Sequence, residues 1–343
     1  MKTIQVIVLA AALAACQGKD KATNAHAESE SPLVTQDNFA RAETDTYFAT
    51  FVKDGAFGRL IHSRELADVK KQTVVRMNRD THYSRGVFDL DAGPVTITLP
   101  DAAGRFMSLL LISEDHYNPA TIYDPGPHTI TREQVGTRYV ALLVRTFVNP
   151  NDPTDLQKVH ALQDAIKVEQ PGGPGKFEVP KWDEASLGAV RDELKKAGSF
   201  DTRKAFGTSK EVTPRDHLIG TALGWGGNPA RDAVYVSGTP RNDDGKTVQR
   251  LTVKDVPVDS FWSISVYNKA GFFEPNTLNA YSLNNITAKR NPSGSYTIQF
   301  GGCDGKVPNC LPITPGWNYT VRLYRPRQPI LDGAWIFPEP KPV

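Results

Sequence analysis

The sequence lacks several features that would point directly to a class of protein. Its formal net charge is only +2, and no broad basic stretch suggests a nucleic-acid partner. Beyond the N-terminal segment, no apolar run is long enough to cross a membrane. The sequence has no G-x-S-x-G elbow, no H-E-x-x-H, no phosphate-binding loop and no Rossmann glycine fingerprint. These absences exclude familiar catalytic signatures and leave any cofactor unknown.

The first residues are typical of an exported bacterial lipoprotein. Lys2 precedes an apolar run over residues 4–15, which has the length of a signal-peptide core and is too short to span a bilayer. The run ends in LAAC, which resembles a lipobox, and this resemblance implies cleavage before Cys16 and lipidation of that residue. Because Gln17 follows, we expect an anchor in the outer membrane of a Gram-negative cell, facing the periplasm or the surface. The alternative is an ordinary secretory signal with a chance cysteine.

The chain has three cysteines, and lipidation of Cys16 would leave two that can pair with each other. Cys303 and Cys310 lie in GGCDGKVPNCLP, where glycines and a proline supply tight turns. An oxidising periplasm permits a disulfide there, which on the chain-entropy model would stabilise the fold by roughly 2–3 kcal/mol. Two thiols without a nearby histidine make a poor zinc site. The sequence therefore predicts a disulfide between Cys303 and Cys310 and no metal.

The composition and patterning predict a mainly β, α+β chain with two antiparallel β-sandwich or jelly-roll-like domains. The chain has 25 prolines and 27 glycines, which favours turn-rich β structure, and its length predicts about two domains. We expect a signal peptide over residues 1–15 and a flexible tether over 16–34. The predicted N-terminal helix and first sandwich occupy 35–168, a linker and helical segment 169–230, and the second sandwich 231–343.

Local patterns predict individual elements within these domains. VTITLP and RFMSLLLIS, separated by DAAG, predict a β-hairpin over residues 95–113. Helices are predicted to begin near four capping residues: Thr35, Thr154, Asp183 and Thr213. The Asp183 helix should run to Gly198. In SFWSISVY, strand alternation predicts two faces, one with Trp262, Ile264 and Val266 and the other with Phe261, Ser263, Ser265 and Tyr267.

The stretch VVRMNRDTHYS (74–84) places polar residues directly after an apolar start. If it is a strand, one face carries Asn78, Asp80, His82 and Ser84. Asp80 and His82 are then near enough for the carboxylate to orient the imidazole, as in general-base catalysis. His116, from SEDHY, is a further catalytic candidate. The same residues could also begin a metal site.

Two other interpretations of this stretch stay open. It could bind a ligand, and the candidate ligand-binding residues are Asn78, Asp80, Tyr83, Asp115, Tyr117 and Tyr267. It could also be structural, because buried polar groups must be paired and such networks often only specify a fold. In that case Asp80 would accept hydrogen bonds from Arg76 or backbone amides, while Tyr83 would cap the core.

The residues VVRMNRDTHYSRGVFDLDAGPVTITLPDAAGRF look like the core motif of the domain-of-unknown-function family 1254. The second half resembles the domain-of-unknown-function family 1214, through AVY (233–235), FWS (261–263), VY (266–267), LP (311–312) and LYRP (323–326). This resemblance implies two β-sandwich domains, with helices at the N-terminus and between the halves. It implies no particular activity. His82 and Cys310 depart from the pattern, where an apolar residue and a tryptophan would be expected.

We therefore expect a periplasmic, outer-membrane-anchored lipoprotein whose β domains bind a small molecule or an envelope component. One alternative is a hydrolase or lyase that uses Asp80 with His82 or His116 as acid/base groups. Another is a structural envelope protein. The expected partners are the membrane, through the N-terminal lipid, and a small-molecule ligand, with no nucleic acid.

Overall fold

The elements follow the sequence patterns closely in the second half and less closely in the first. The computed structural model describes residues 31–72, 75–197 and 201–343, so the predicted signal peptide, Cys16 and residues 16–30 of the predicted tether lie outside the described residues. Val74 and Gly198, predicted to start a strand and end a helix, also lie outside them. The described helices are α1 (Phe39–Lys53), α2 (Arg132–Val135), α3 (Pro153–Asp164), α4 (Glu184–Lys195), α5 (Thr202–Ala205), α6 (Pro214–Gly224) and α7 (Gln328–Leu331).

The described strands, in chain order, are β1 (Ile61–His62), β2 (Thr81–Asp89), β3 (Val95–Leu99), β4 (Met107–Ser113), β5 (Thr121–Ile122), β6 (Gly126–Ile130), β7 (Tyr139–Phe147), β8 (Lys167–Glu169), β9 (Ala233–Gly238), β10 (Gln249–Val253), β11 (Trp262–Tyr267), β12 (Ser282–Asn284), β13 (Tyr296–Phe300), β14 (Cys310–Leu311), β15 (Asn318–Tyr324) and β16 (Lys341–Pro342). None of the helices in these ranges has both the length and the apolar composition that a membrane crossing requires.

Capping chemistry explains where the helices begin. Asp183 and Thr213 cap α4 and α6 as predicted, because each side-chain oxygen accepts a backbone N–H from the first turn. Helix α3 is capped by Asp152 rather than Thr154, because Pro153 takes the first helical position. Helix α1 begins at Phe39 and not near Thr35, whose N–H instead donates to the Asn38 side chain in the preceding turn.

The first sandwich is formed by two antiparallel sheets, with strand orders β1-β2-β7-β4-β5 and β6-β3-β8. Their facing apolar side chains make one core, which includes Phe88, Ile97, Leu109 and Val144. The predicted hairpin over 95–113 is wrong, because β3 and β4 lie in different sheets. Strand β4 is buried along its whole length between β5 and β7, whereas β3 alternates between buried and half-buried residues. The chain therefore crosses between the sheets after residue 99 instead of turning back within one sheet.

The second sandwich is formed by sheets with strand orders β12-β11-β15-β9 and β14-β13-β10-β16, in which only the β13–β14 pairing is parallel among the described strands. Trp262, Ile264 and Val266 face its core, which confirms the predicted alternation along β11. The predicted disulfide between Cys303 and Cys310 is also confirmed. The antiparallel sheets with helices confirm the α+β class, while the exact domain boundaries stay a prediction.

Candidate functional site

The polar stretch after Val75 lies where the two sandwiches meet. Arg322, on β15, is only 4% exposed. Its guanidinium donates hydrogen bonds to Ser265 Oγ (3.0 Å), Tyr267 OH (2.8 Å) and the Arg76 carbonyl (2.8 Å). The Tyr267 hydroxyl in turn donates to the Met77 carbonyl at 2.9 Å. Arg322 and Tyr267 therefore hold the 76–77 backbone against the second sandwich.

Asp80 belongs to the same layer and is 1% exposed. Its Oδ1 accepts a hydrogen bond from Asn284 Nδ2 at 3.3 Å, and its Oδ2 has no partner among the described atoms. Burial raises the pKa of Asp80, although the Arg322 charge opposes this rise. The nearby Ser263 hydroxyl also opposes the rise in pKa, although Ser263 makes no well-directed hydrogen bond to Asp80 Oδ2. Asp80 therefore bridges the sandwiches without a full set of hydrogen bonds.

Asn78 connects two tyrosines across the same layer. Its Nδ2 donates to Tyr324 OH at 2.8 Å and lies 3.2 Å from Thr81 Oγ1 and 3.3 Å from Tyr83 OH. Its Oδ1 accepts the N–H of Asp80 at 2.8 Å. The polar side chains of this part of the stretch bond largely to one another and to the second sandwich. The expected donors to Asp80 are wrong, because its carboxylate accepts from Asn284, whereas the Arg76 side chain donates to Asn318. Whether the network only specifies the fold stays a prediction.

Arg145 lies beside this network on strand β7. It is the antiparallel register partner of Tyr83, and its guanidinium lies 5.5 Å from the centre of the Tyr83 ring. It is 5% exposed and donates to Asn228 Oδ1 (2.9 Å) and the Gly226 carbonyl (2.7 Å). Within the described residues, no carboxylate forms an ion pair with Arg145. Burial lowers its pKa, but the phenols of Tyr83, Tyr235 and Tyr324 outweigh burial and raise it.

The three phenols respond differently to this buried charge. Burial alone would raise the pKa of Tyr83, but the Arg145 guanidinium and hydrogen bonds from Thr81 and Asn78 outweigh it and lower that pKa. Burial raises the pKa of Tyr235, whose hydroxyl accepts from Asn228 at 2.7 Å, and that of Tyr324 well above its ordinary value. Tyr83 is therefore the phenol most ready to ionise beside Arg145.

An aromatic cluster borders these groups. Phe261 stacks on Tyr324 with ring centres 4.3 Å apart, and the other members are Phe106, Phe147 and Tyr235. Tyr83 and Tyr235 are partly exposed residues, whereas Arg145 and Asn228 beside them are buried. We call Tyr83, Arg145, Asn228, Tyr235 and Tyr324 the inter-sandwich site.

His82 lies elsewhere. Its Nδ1 donates to the Ser63 carbonyl at 2.8 Å, and its ring centre is 5.7 Å from that of His160. Strand β2 begins only at Thr81, so strand alternation does not extend back to Asp80. The structure therefore does not bring the Asp80 and His82 side chains together as the proposed acid–base pair requires.

His116 is fully engaged in packing the end of α6. The Thr221 hydroxyl donates to the His217 carbonyl (2.8 Å), so it must accept from His116 Nδ1–H (2.7 Å). The His116 Nε2 accepts the Gly226 N–H at 2.9 Å. These bonds fix a neutral tautomer, and burial lowers the pKa of His116 well below its ordinary value. Neither ring nitrogen is available for proton transfer to a substrate.

The neighbouring candidates form a separate patch. Asp115 pairs with Arg41 at 2.7 Å, and the Tyr117 ring stacks on His217 with centres 4.2 Å apart. Of the predicted ligand-binding residues, Asn78, Asp80, Tyr83 and Tyr267 thus share one layer, while Asp115 and Tyr117 do not join it. Across the described ranges, no group of three or more His, Cys, Asp and Glu side chains has the arrangement of a metal site.

Sequence reasoning missed Arg145, Arg322 and Tyr235. Both arginines stand alone in otherwise apolar or uncharged strands, YVALLVRTFV and NYTVRLY. A lone cation in a strand that is buried throughout is the signal that could have identified them. Asp45 and Glu114, two further buried carboxylates near Arg41, carried no comparable signal because they lie among other polar residues.

Comparison with known proteins confirms the family resemblance in the predicted order. Residues 57–123 match the family model described as protein of unknown function (DUF1254), and residues 234–328 match protein of unknown function (DUF1214). The chain is similar in structure to the VPA0106 protein from Vibrio parahaemolyticus, with a TM-score of 0.69 and 20% identity over 90% of this chain and 100% of that chain. That likeness shows the fold alone.

An uncharacterized protein from Burkholderia cenocepacia has a TM-score of 0.49 and 11% identity, over 85% of this chain and 84% of that chain. No curated protein matches the sequence. Two segments of the chain thus match models of families of unknown function, and these comparisons supply no activity.

Proposed function

We propose that the protein is an exported lipoprotein that binds a small organic acid at its inter-sandwich site. One observation carries the binding proposal: Arg145 is buried without a carboxylate partner beside the half-buried Tyr83 and Tyr235. A buried cation without a counter-charge is costly, by several kcal/mol in proteins. A bound acid supplies that counter-charge.

The surrounding groups suit a carboxylate attached to an apolar or flat body. A guanidinium recognises a carboxylate with two parallel hydrogen bonds, and a phenol can donate a third. The bordering aromatic cluster offers packing for the remainder of such a ligand. The Arg145 charge contributes to the lowered pKa of Tyr83, and a bound carboxylate would offset that charge. Acid binding should therefore raise the pKa of Tyr83.

Export and anchoring rest on separate support. The LAAC sequence ending at Cys16 motivates the lipid anchor, and the Cys303–Cys310 disulfide suits an oxidising compartment. The outer membrane of a Gram-negative cell is the proposed location. Mass spectrometry of the N-terminal peptide from membrane fractions tests this part: a diacylated Cys16 supports it, and an unmodified Cys16 overturns it.

Calorimetric titration with small carboxylic acids and their uncharged amides tests the binding site. Wild-type protein should bind an acid and not its amide, and Arg145→Gln should weaken binding by about 10- to 100-fold, the loss of a charged hydrogen bond. Arg85→Gln is the matched control, because Arg85 lies on β2 of the same sheet but already pairs with Asp54. Equal affinity in the folded Arg145→Gln and Arg85→Gln variants contradicts the proposal.

Catalysis is a second candidate, and the geometry favours Tyr83 for it rather than Asp80 with a histidine. A phenol with a lowered pKa beside a guanidinium can act as a general base. An acid that binds should then be converted by wild-type protein and not by Tyr83→Phe. Recovery of the unchanged acid after incubation with wild-type protein contradicts a catalytic role.

A further inference from the structure

A cationic site, separate from the inter-sandwich site, lies on the β14-β13-β10-β16 sheet of the second sandwich. A groove of about 270 Å³ is bordered there by Arg250, Lys289 and Arg290, with uncharged residues such as Asn309 between them. None of the described residues that line the groove is acidic. Among the described side chains, none of the three cations takes part in an ion pair, so no carboxylate offsets their charge.

Arg250 is held in place by an unusual uncharged partner. Its Nε and one terminal nitrogen both donate to Gln299 Oε1, at 2.9 and 2.8 Å, across the β10–β13 pairing. Gln299 is itself 4% exposed, and its Nε2 donates to the Gly301 carbonyl at 3.0 Å. The guanidinium is therefore oriented by a buried amide while keeping its full charge and one terminal nitrogen for another acceptor.

Lys289 and Arg290 are positioned by the turns on either side of the groove. The Asn309 side chain accepts the Lys289 N–H at 2.7 Å and donates to the Lys289 carbonyl at 2.8 Å. Asn309 directly precedes the disulfide-bonded Cys310, which ties this contact to a cross-linked loop. The Arg290 Nε donates to the Gly294 carbonyl at 2.9 Å. Because the backbone and the arginine are fixed, little ordering is needed when an anion binds.

We infer that this groove binds a phosphate group. Three cations with oriented donors match a compact anion with several oxygens, and a phosphate monoester carries up to two charges where a carboxylate carries one. The site is separate from the inter-sandwich site and does not depend on it. Because all three cations are solvent-exposed, salt should weaken binding strongly. The phosphate can belong to a soluble ester or to a lipid headgroup.

Titration of the purified full chain with glycerol 3-phosphate and with a short-chain phosphatidic acid tests this inference. Lys289→Gln combined with Arg290→Gln should weaken phosphate binding by about 25-fold, because each exposed charge contact is worth up to about fivefold. Lys210→Gln combined with Arg215→Gln is the charge-matched control, since both residues are exposed and neither lines the groove. The control should bind as wild type does.

The two probes separate the sources. Equal affinity for both means that the phosphate alone is recognised, and tighter binding of phosphatidic acid means that a lipid headgroup is the ligand; either result supports the site. The inference is overturned if neither probe binds. It is also overturned if the Lys289→Gln, Arg290→Gln variant binds as tightly as the charge-matched control.

Discussion

Replacing Asp45 by asparagine should change how stability depends on pH. Asp45 is 1% exposed on α1, its Oδ2 accepts from Trp182 Nε1 at 2.8 Å, and its Oδ1 has no partner among the described atoms. Burial raises its pKa from 3.8 to about 7; the Trp182 hydrogen bond opposes this rise and the Glu114 charge adds to it. The folded protein thus holds a proton that the unfolded chain releases above about pH 4. Stability should therefore fall as pH rises from about 4 through about 7.

The size of this effect follows from the same pKa. At about 1.4 kcal/mol for each tenfold change in proton affinity, the rise from 3.8 to about 7 sets an upper bound of about 4 kcal/mol. Relaxation and water entry reduce such penalties, so we expect about 2 kcal/mol. Asparagine mimics the protonated acid, so Asp45→Asn should match wild type near pH 4 and exceed its stability by about 2 kcal/mol above pH 7.

Urea unfolding of wild type and Asp45→Asn across this pH range measures the difference directly. Asp37→Asn is the control, because Asp37 is exposed just before α1 and should leave the pH profile unchanged. A stability difference between wild type and Asp45→Asn that does not vary with pH would refute the reasoning. It would mean that folding leaves the pKa of Asp45 unchanged, so that burial does not penalise its carboxylate.

Further predictions concern Arg322, the Cys303–Cys310 disulfide and Tyr83. Arg322→Met should destabilise the protein by about 3–5 kcal/mol in urea unfolding, because Ser265, Tyr267 and the Arg76 carbonyl lose their donor; a loss below about 1 kcal/mol would contradict this role. Reducing the Cys303–Cys310 disulfide should lower the unfolding free energy by about 2–3 kcal/mol, and a Cys303→Ser, Cys310→Ser variant should show no response to reductant. Tyr83→Phe should remove the lowest-pH phenolate step from an ultraviolet absorbance titration; an unchanged titration would exclude the lowered pKa of Tyr83.

The sequence patterns that proved predictive were those with a local cause. The caps at Asp183 and Thr213, the alternation along β11 and the Cys303–Cys310 pairing each depend on residues close together in the chain. The hairpin over 95–113 failed because the choice of sheet for β3 and β4 depends on partners far away, such as β6 and β7. Local alternation does not specify which strand a neighbour pairs with.

The candidate site was only partly predictable for the same reason. Asn78, Asp80 and Tyr83 were identified from their unusual polar run, yet their main partners are Arg145, Asn284 and Tyr324, which are distant in the sequence. The acid–base pairing of Asp80 with His82 assumed a strand over residues 74–84, whereas β2 begins at Thr81, one residue after Asp80. His116 looked reactive by residue type alone, whereas its fixed hydrogen bonds to Thr221 and Gly226 make it structural.

The measurement that tests the central proposal most directly is the small-molecule content of the protein as purified from a Gram-negative periplasm. Wild type and Arg145→Gln are isolated under native conditions, checked for equal folding by circular dichroism, and their released small molecules are compared by mass spectrometry. The proposal predicts an organic acid in the wild-type protein that is absent from Arg145→Gln. Equal acid content in the two proteins, or none in either, would contradict it.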